Sequence, residues 1–459
     1  MTPGPTHCEQ PPGADAAWRD AARLPGLSPA SAALLQRLVQ HPHAPVFRHR
    51  SGHRLTRADR WMVRWHHLRI LHASGPDPRT PPGWAWRHAR RCGATVPFFL
   101  ARGSLPTSWQ GIPTTSRADL AANVAGFVPR GARLSRLLCF TTSGTTGHPI
   151  QVPSHPRVAA AYFSHHCRAL RLYGIVPRAG RGEIGIVLAG FQQRCFTYVS
   201  VNPLSDECGV VKLNLHPADW RSPDDRRRYL DDLRPELISG DPVSLAELCR
   251  LGLSHRPRAV LSTSMALSDG LRAEFEAQLQ APVLDLYSMN EAGPIAVRAP
   301  DGEAHVLLQS RLFVEIVDAD GRALPEGEHG EIVLTGGFNP WLPLLRYRTG
   351  DHARLGRTRH GPALFDLQGR PPVRFRRPDG QWLNNIEVTH ALKGCALVRW
   401  ALHQRGDGSL LLKVDPPRAD RDALRAALCR PFGPALPIDI VALAPGDKLV
   451  QYTSDLESS

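Results

Sequence analysis

From about residue 130 onward, short apolar runs alternate with stretches in which apolar side chains recur at helical spacing. Segments 136–141 and 183–189 read as buried strands, and Ala259–Ser262 and 282–287 repeat the pattern. Pro156–Leu172 and Asp269–Leu279 read as helices, with Ser154 as a cap for the first and Gly174 just beyond its end. Strands alternating with helices predict an α/β fold, with helices flanking mixed or parallel sheets. Beyond Arg370 the rhythm becomes strand Leu410–Val414, helix 421–429 and strand 438–443, a small α+β domain ending near Gly446-Asp447-Lys448. Residues 1–85 mix Pro/Gly/His-rich stretches with helical patches such as 31–40. The expected organisation is an irregular, helical and basic lead-in over 1–85, a large domain over 86–368 and a small mobile domain over 369–459.

Composition narrows the class. The chain has 459 residues and 42% hydrophobic positions, enough for a large core and too apolar for a disordered protein. No apolar run approaches the roughly 18 residues that span a bilayer, and Met1 to Gln10 carries no basic, apolar leader. Nine cysteines without a CxxC pair do not form a disulfide framework, so a reduced, cytoplasmic protein is expected.

Charge changes the picture further. The formal net charge is +14, and residues 48–102 alone hold twelve arginines against Asp59 and Asp77. Such a stretch is either a solvated face or a docking surface for something acidic. Trp61, Trp65 and Leu68 share one helical face between Arg60, Arg64 and Arg69, a pattern that suits a membrane-surface helix but commonly packs into a core. No zinc-finger, RNP or KH signature accompanies the arginines, which argues against specific nucleic-acid binding. Only Lys212, Lys393, Lys413 and Lys448 are lysines, so each marks a place where a compact ammonium was kept in an arginine-rich chain.

Four motifs carry candidate chemistry. Thr142-Ser143-Gly144-Thr145-Thr146-Gly147 follows an apolar strand and offers the backbone and hydroxyl donors that cradle phosphate, without a Walker ending. Asp285-Leu286-Tyr287-Ser288-Met289-Asn290-Glu291 ends a strand with an aromatic, an amide and a carboxylate, suited to a base and to Mg²⁺. Pro343 to Asp351 is an apolar strand closing on Gly350-Asp351, whose carboxylate can accept from ribose hydroxyls. Gly369-Arg370 opens a turn-rich joint before the small domain.

In this order the four motifs resemble those of the adenylate-forming acyl- and aryl-CoA synthetases, particularly the phenylacetate-CoA ligase-like branch. Segments 94–99, 112–120, 238–244 and 343–347 share that resemblance, which runs from about residue 86 to the end. It implies an ATP-dependent ligase that adenylates an aromatic carboxylic acid, benzoate- or hydroxybenzoate-like, and passes it to a thiol. By the same likeness, Thr142 to Gly147 would hold the ATP phosphates. Tyr287 would lie against adenine with Ser264 and Asp285 nearby, Asn290 would meet the α-phosphate, and Glu291 would hold Mg²⁺. Asp351 would bind ribose, Arg370 would add positive charge, and Lys448 would be the catalytic lysine. Phe191, Phe196, Met289 and Gly293 are the candidate pocket residues.

Departures from the family pattern bear on the second step. No lysine follows Gly147, Asn290 stands where relatives keep Thr or Ser, and Pro371-Pro372 stiffen the joint. The acceptor is CoA or an acyl carrier protein, the basic stretch favouring the acidic protein. An adenylate-dependent amide ligase and a basic scaffold without catalysis are the competing readings. Cys195, Cys208 and His216 are too irregularly spaced to read as more than a minor zinc possibility.

Overall fold

The computed structural model describes residues 22–72, 80–141, 150–192, 195–369, 373–392, 394–415, 420–434, 436–443 and 451–456. The chain divides into two compact units, one formed by 1–72, 156–263 and 277–284, the other by the remainder.

The first unit is the α/β layer the alternating pattern predicts. Strands Ala259–Ser262, Leu237–Gly240, Ile184–Gly190 and Cys208–Asn214 lie side by side and parallel, and Tyr198–Asn202 adds an antiparallel edge. Their near-continuous Val/Ile/Leu character reflects burial on both faces. Helices Pro29–Gln40, Arg57–His72, Pro156–Leu172, Asp225–Leu233 and Pro242–Leu251 belong to the same unit. The Ser28 side chain caps the first of these, and Glu207 Oε2 accepts from both the Ser28 backbone and the Ser31 hydroxyl. Leu34, Leu35 and Leu38 are buried, so this part of the first 85 residues is built into the core.

The second unit is dominated by antiparallel pairing. Its large sheet runs Leu312–Val317, His329–Gly336, Leu344–Thr358, Gly361–Gln368, His305–Leu307, Gly293–Arg298 and Val283–Met289, every neighbouring pair antiparallel. Helix Gly83–Thr95 packs on this sheet, with Ala85, Ala89 and Cys92 buried beside Ile332, Leu334 and Tyr347 in one cluster. A four-stranded sheet, in the order Ile438–Ala442, Leu410–Val414, Trp400–Gln404 and Tyr452–Ser454, lies near the end of the chain. Together with helices Asn385–Leu392 and Arg421–Phe432 it encloses its own core around Phe375, Leu402, Leu412, Leu428 and Phe432.

Three local expectations are corrected. The strand expected at 136–141 is Leu138–Thr141 and is not buried: Cys139 and Phe140 are exposed, because it pairs only with Gln151–Ser154 in a two-stranded ribbon. The following helix starts at Pro156, so its N-cap position falls on His155 and Ser154 ends the ribbon instead. The Trp61/Trp65/Leu68 stripe does not pack into a core; these side chains are 69%, 45% and 61% exposed.

Candidate functional site

Three of the four motifs have described residues in the second unit, and sheet register brings them together. Strand Val283–Met289 turns through Asn290, Glu291 and Ala292 into Gly293–Arg298, with Met289 opposite Gly293. Gly293 takes φ +70°, a left-handed conformation that glycine adopts without steric cost. Buried Gln309 clamps the turn by donating through Nε2 to the Ala292 and Pro294 carbonyls at 2.7 and 2.8 Å. Glu291 is thereby fixed with its side chain buried, while Asn290 is exposed.

Strand Leu344–Thr358 supplies the facing residues. Gly350 has φ +79° and donates its N–H to Glu331 Oε1 at 2.9 Å, and Asp351 N donates to Thr349 Oγ1 at 3.0 Å. Thr349 Oγ1 in turn donates to the Ile332 carbonyl. The loop-forming Thr-Gly-Asp sequence is therefore pinned to the neighbouring strand. His352 pairs with Gln368, so Gly369 arrives beside Asp351; a Cβ at that glycine would stand 3.5 Å from Asp351 Oδ1.

Two side-chain clusters result. In the first, the Tyr287 hydroxyl donates to Asp351 Oδ2 at 2.7 Å. Burial and the neighbouring Asp351 carboxylate push the Tyr287 phenol well above its usual range, so the hydroxyl remains a donor. In the second, Glu291 Oε1 accepts from the Tyr347 hydroxyl at 3.1 Å and from Arg117 Nη1 at 3.0 Å. Tyr347 is likewise held protonated by burial and by Glu291. Asp285, two positions before Tyr287 and so on the same sheet face, meets His305 Nε2 at 3.3 Å.

Arg117 falls within segment 112–120, to which the resemblance gives no role, and the structure places it against Glu291. Thr115 N donates to Arg346 O at 2.9 Å, and Arg348 N donates to Thr115 O at 2.7 Å, which hitches this segment to the strand. A Ser116/Asp119 capping box then starts helix Arg117–Ala122 in a fixed place. Tyr347 too lies inside a recognised motif, and the alternation of the strand is the signal that could have separated it from its neighbours.

The remaining expected residues fall into two groups. Thr142, Ser143, Gly144, Thr145, Thr146, Gly147, Arg370, Lys448 and the Pro371-Pro372 joint lie outside the described residues. Ser264 is exposed with φ +71°, and Met289 packs partly buried against the sheet core. Phe191 and Phe196 lie in the first unit, where Phe191 sits 5.9 Å from His216 and Phe196 lies tilted 4.0 Å from His49, ring centre to ring centre. Among the described residues no group of three or more His, Cys, Asp or Glu side chains could hold a metal, and His216 instead caps a short turn through Ala218 N.

A single carboxylate is nevertheless a fitting ligand for Mg²⁺, which takes one or two protein carboxylates and fills its shell with phosphate oxygens and water. Both contacts to Glu291 given above fall on Oε1, and its other oxygen is the hard donor such an ion would use. The cluster combines the Asp351 carboxylate, which can accept from hydroxyls, an aromatic ring and this second carboxylate.

Comparison with known proteins concerns the chain as a whole and its fold. Residues 135–339 match the family model described as AMP-binding enzyme. Phenylacetate-coenzyme A ligase of Aromatoleum evansii is 27% identical over 300 residues, covering 59% of this chain and 64% of that protein. Its namesake from Escherichia coli K12 is 35% identical over 298 residues, covering 59% of this chain and 65% of its own. The chain thus spans less than two thirds of the length of these curated relatives. The solved structure of 2-hydroxyisobutyryl-CoA ligase in complex with R3-HIB-AMP superposes with a TM-score of 0.63 at 18% identity, over 85% of this chain and 92% of that one. Among the described residues no helix is long and apolar enough to cross a membrane. Residues 135–339 are thus similar to an AMP-binding enzyme domain, and the chain shares its fold with a solved acid–CoA ligase.

Proposed function

We propose that this protein activates an aromatic carboxylic acid with ATP and transfers the acyl group to the thiol of CoA. The observation that carries the reading is the pairing of Tyr287 with Asp351 beside the Glu291 cluster, three residues that motif resemblance alone assigned to base, ribose and Mg²⁺. The relatives named as CoA ligases support CoA as the acceptor over a carrier protein.

In the first step a carboxylate oxygen of the acid attacks the α-phosphorus of ATP. The bond from that phosphorus to the bridging oxygen breaks, and pyrophosphate leaves with the electron pair. In the second, the thiol sulfur attacks the acyl carbon, AMP departs and the thiol proton passes to solvent. Both displacements occur between the reactants themselves, so the chain need only position them and stabilise charge. Tyr287 presents its ring to the base while its hydroxyl holds Asp351, and Asp351 accepts from the ribose. Asn290, exposed at the turn, donates toward the α-phosphate. Glu291 is oriented by Tyr347 and Arg117; when Mg²⁺ is bound there it offsets phosphate charge. Thr142 to Gly147 grip the outer phosphates, while Arg370 and Lys448 contribute cationic groups near the reacting phosphate. Met289 and Gly293 adjoin the turn and border the acid.

The test is incubation with ATP, Mg²⁺, a panel of benzoates and phenylacetates, and either CoA or a phosphopantetheinylated carrier protein, read by mass spectrometry. An aryl-CoA product supports the reading. Acyl carrier protein as the sole acylated acceptor overturns the CoA assignment, and acylated amines without thioester favour an amide ligase.

A further inference from the structure

Helix Arg57–His72 carries an apolar stripe that no part of the proposed ligase chemistry uses. At 3.6 residues per turn, Trp61, Trp65 and Leu68 fall on one face, and they are 69%, 45% and 61% exposed. The opposite face is the one that packs: Val63 is buried, His67 Nδ1 lies 3.0 Å from Ser164 Oγ, and Arg168 Nη1 donates to the Ile70 carbonyl. Exposed Arg57 and Arg64 line one side of the stripe and exposed Arg69 the other. Arg69 stacks on the Trp65 ring at 4.5 Å, which keeps its guanidinium at the edge of the apolar surface. The only acid in the helix, Asp59, is buried and paired with Arg157 at 3.4 Å, so the exposed face is purely cationic.

We infer that this face docks on an anionic phospholipid surface, with the two indoles and Leu68 entering the headgroup–acyl boundary and the arginines meeting lipid phosphates. Three features favour a bilayer over a protein partner. The stripe lies on the outward, convex side of a helix, where a protein partner would have to bring its own groove. Two of its three apolar residues are tryptophans, whose amphipathic rings settle at the membrane interface. Its flanking charges are all of the sign that an anionic leaflet attracts. The helix is too short and too basic to span, so it would lie in the interface plane.

Sedimentation of the full chain with phosphatidylcholine vesicles, with and without phosphatidylglycerol, tests this. The wild type should partition onto the anionic vesicles at least about tenfold more than onto neutral ones, and added salt should reverse it. The Trp61→Ser/Trp65→Ser variant should lose roughly tenfold of that partitioning while its thermal unfolding stays unchanged, both side chains being exposed. Arg57→Gln/Arg64→Gln/Arg69→Gln should erase the preference for phosphatidylglycerol without touching the indoles. Failure of the wild type to sediment with anionic vesicles overturns the inference. So does binding that survives loss of both indoles, which would be plain charge adsorption. Binding of an acidic carrier protein that these variants abolish, with vesicles ignored, would assign the face to a protein instead. None of these readouts depends on ligase activity.

Discussion

The Tyr287 hydroxyl donates to Asp351 Oδ2 at 2.7 Å across 64 positions of sequence. This one bond joins the aromatic end of strand Val283–Met289 to the Gly-Asp corner of Leu344–Thr358. It holds the carboxylate in place through the hydroxyl, while the ring packs partly buried against the sheet core.

Asp351→Ala should therefore raise the KM for ATP by roughly ten- to a hundredfold, the worth of hydrogen bonds to a charged group. Tyr287→Phe, which keeps the ring and removes only the hydroxyl, should cost several-fold less. Steady-state kinetics with varied ATP separates them; equal losses from the two variants would mean that the hydroxyl, rather than the ribose contact, governs affinity.

Glu291→Gln keeps the acceptor for Tyr347 and Arg117 but removes the charge. It should lower the adenylation rate by on the order of a hundredfold, comparable to loss of one preorganised electrostatic group. It should also shift the Mg²⁺ titration to higher concentration. An unchanged Mg²⁺ requirement would leave Glu291 as a structural partner of Tyr347.

How much of this was readable in the chain follows from separation in sequence. The parallel α/β portion was legible because each strand and helix is a contiguous run of one period, as in Pro156–Leu172 and Ala259–Ser262. The antiparallel sheet was not, because His305 reaching Asp285 or Thr115 bonding Arg346 is a long-range register effect without a local signal. Motif order named Tyr287, Glu291 and Asp351, whereas Arg117 needed the capped Ser116 turn to reveal its partner. Trp61, Trp65 and Leu68 stayed open between surface and core because helical periodicity marks an apolar stripe without saying what covers it.

Arg346 sits inside the same motif as Asp351 yet has a different task. It is almost wholly buried, with φ +44°, and its guanidinium donates to the Ile112 and Gly321 carbonyls at 2.8 and 2.7 Å while lying 3.4 Å from Glu315. Burial pushes the Glu315 carboxyl up, and Arg346 opposes that shift. Arg346→Ala should cost about 3–5 kcal/mol in urea unfolding, because a buried carboxylate loses its counter-charge. Adding Glu315→Leu should recover part of that loss; no recovery would put the cost in the carbonyl bonds instead.

Acid should weaken the first unit. Burial pushes His165 down to about 3, and burial with help from Arg60 pushes His53 down to about 4. His53 Nδ1 also accepts from Leu55 N at 3.0 Å, which requires the neutral ring. Both folded values lie below the unfolded value near 6.5, so the unfolded chain binds the extra protons. The associated stability is complete above about pH 6.5 and drains away as the pH falls toward 4 and then 3, at about 1.4 kcal/mol per histidine per pH unit. Thermal unfolding followed from pH 7.5 to 4 should show Tm falling through this window. His53→Gln should flatten the upper part of the fall, and an unaltered slope would exclude that histidine as its source.

The central claim is that the chain forms an acyl-adenylate, and ATP–pyrophosphate exchange tests it most directly. Labelled pyrophosphate should enter ATP only when an aromatic acid is present, and both Asp351→Ala and Lys448→Ala should remove most of that incorporation. Exchange with aliphatic acids alone would contradict the aromatic assignment. Absence of exchange with every acid, from a chain that still binds ATP, would contradict adenylation itself.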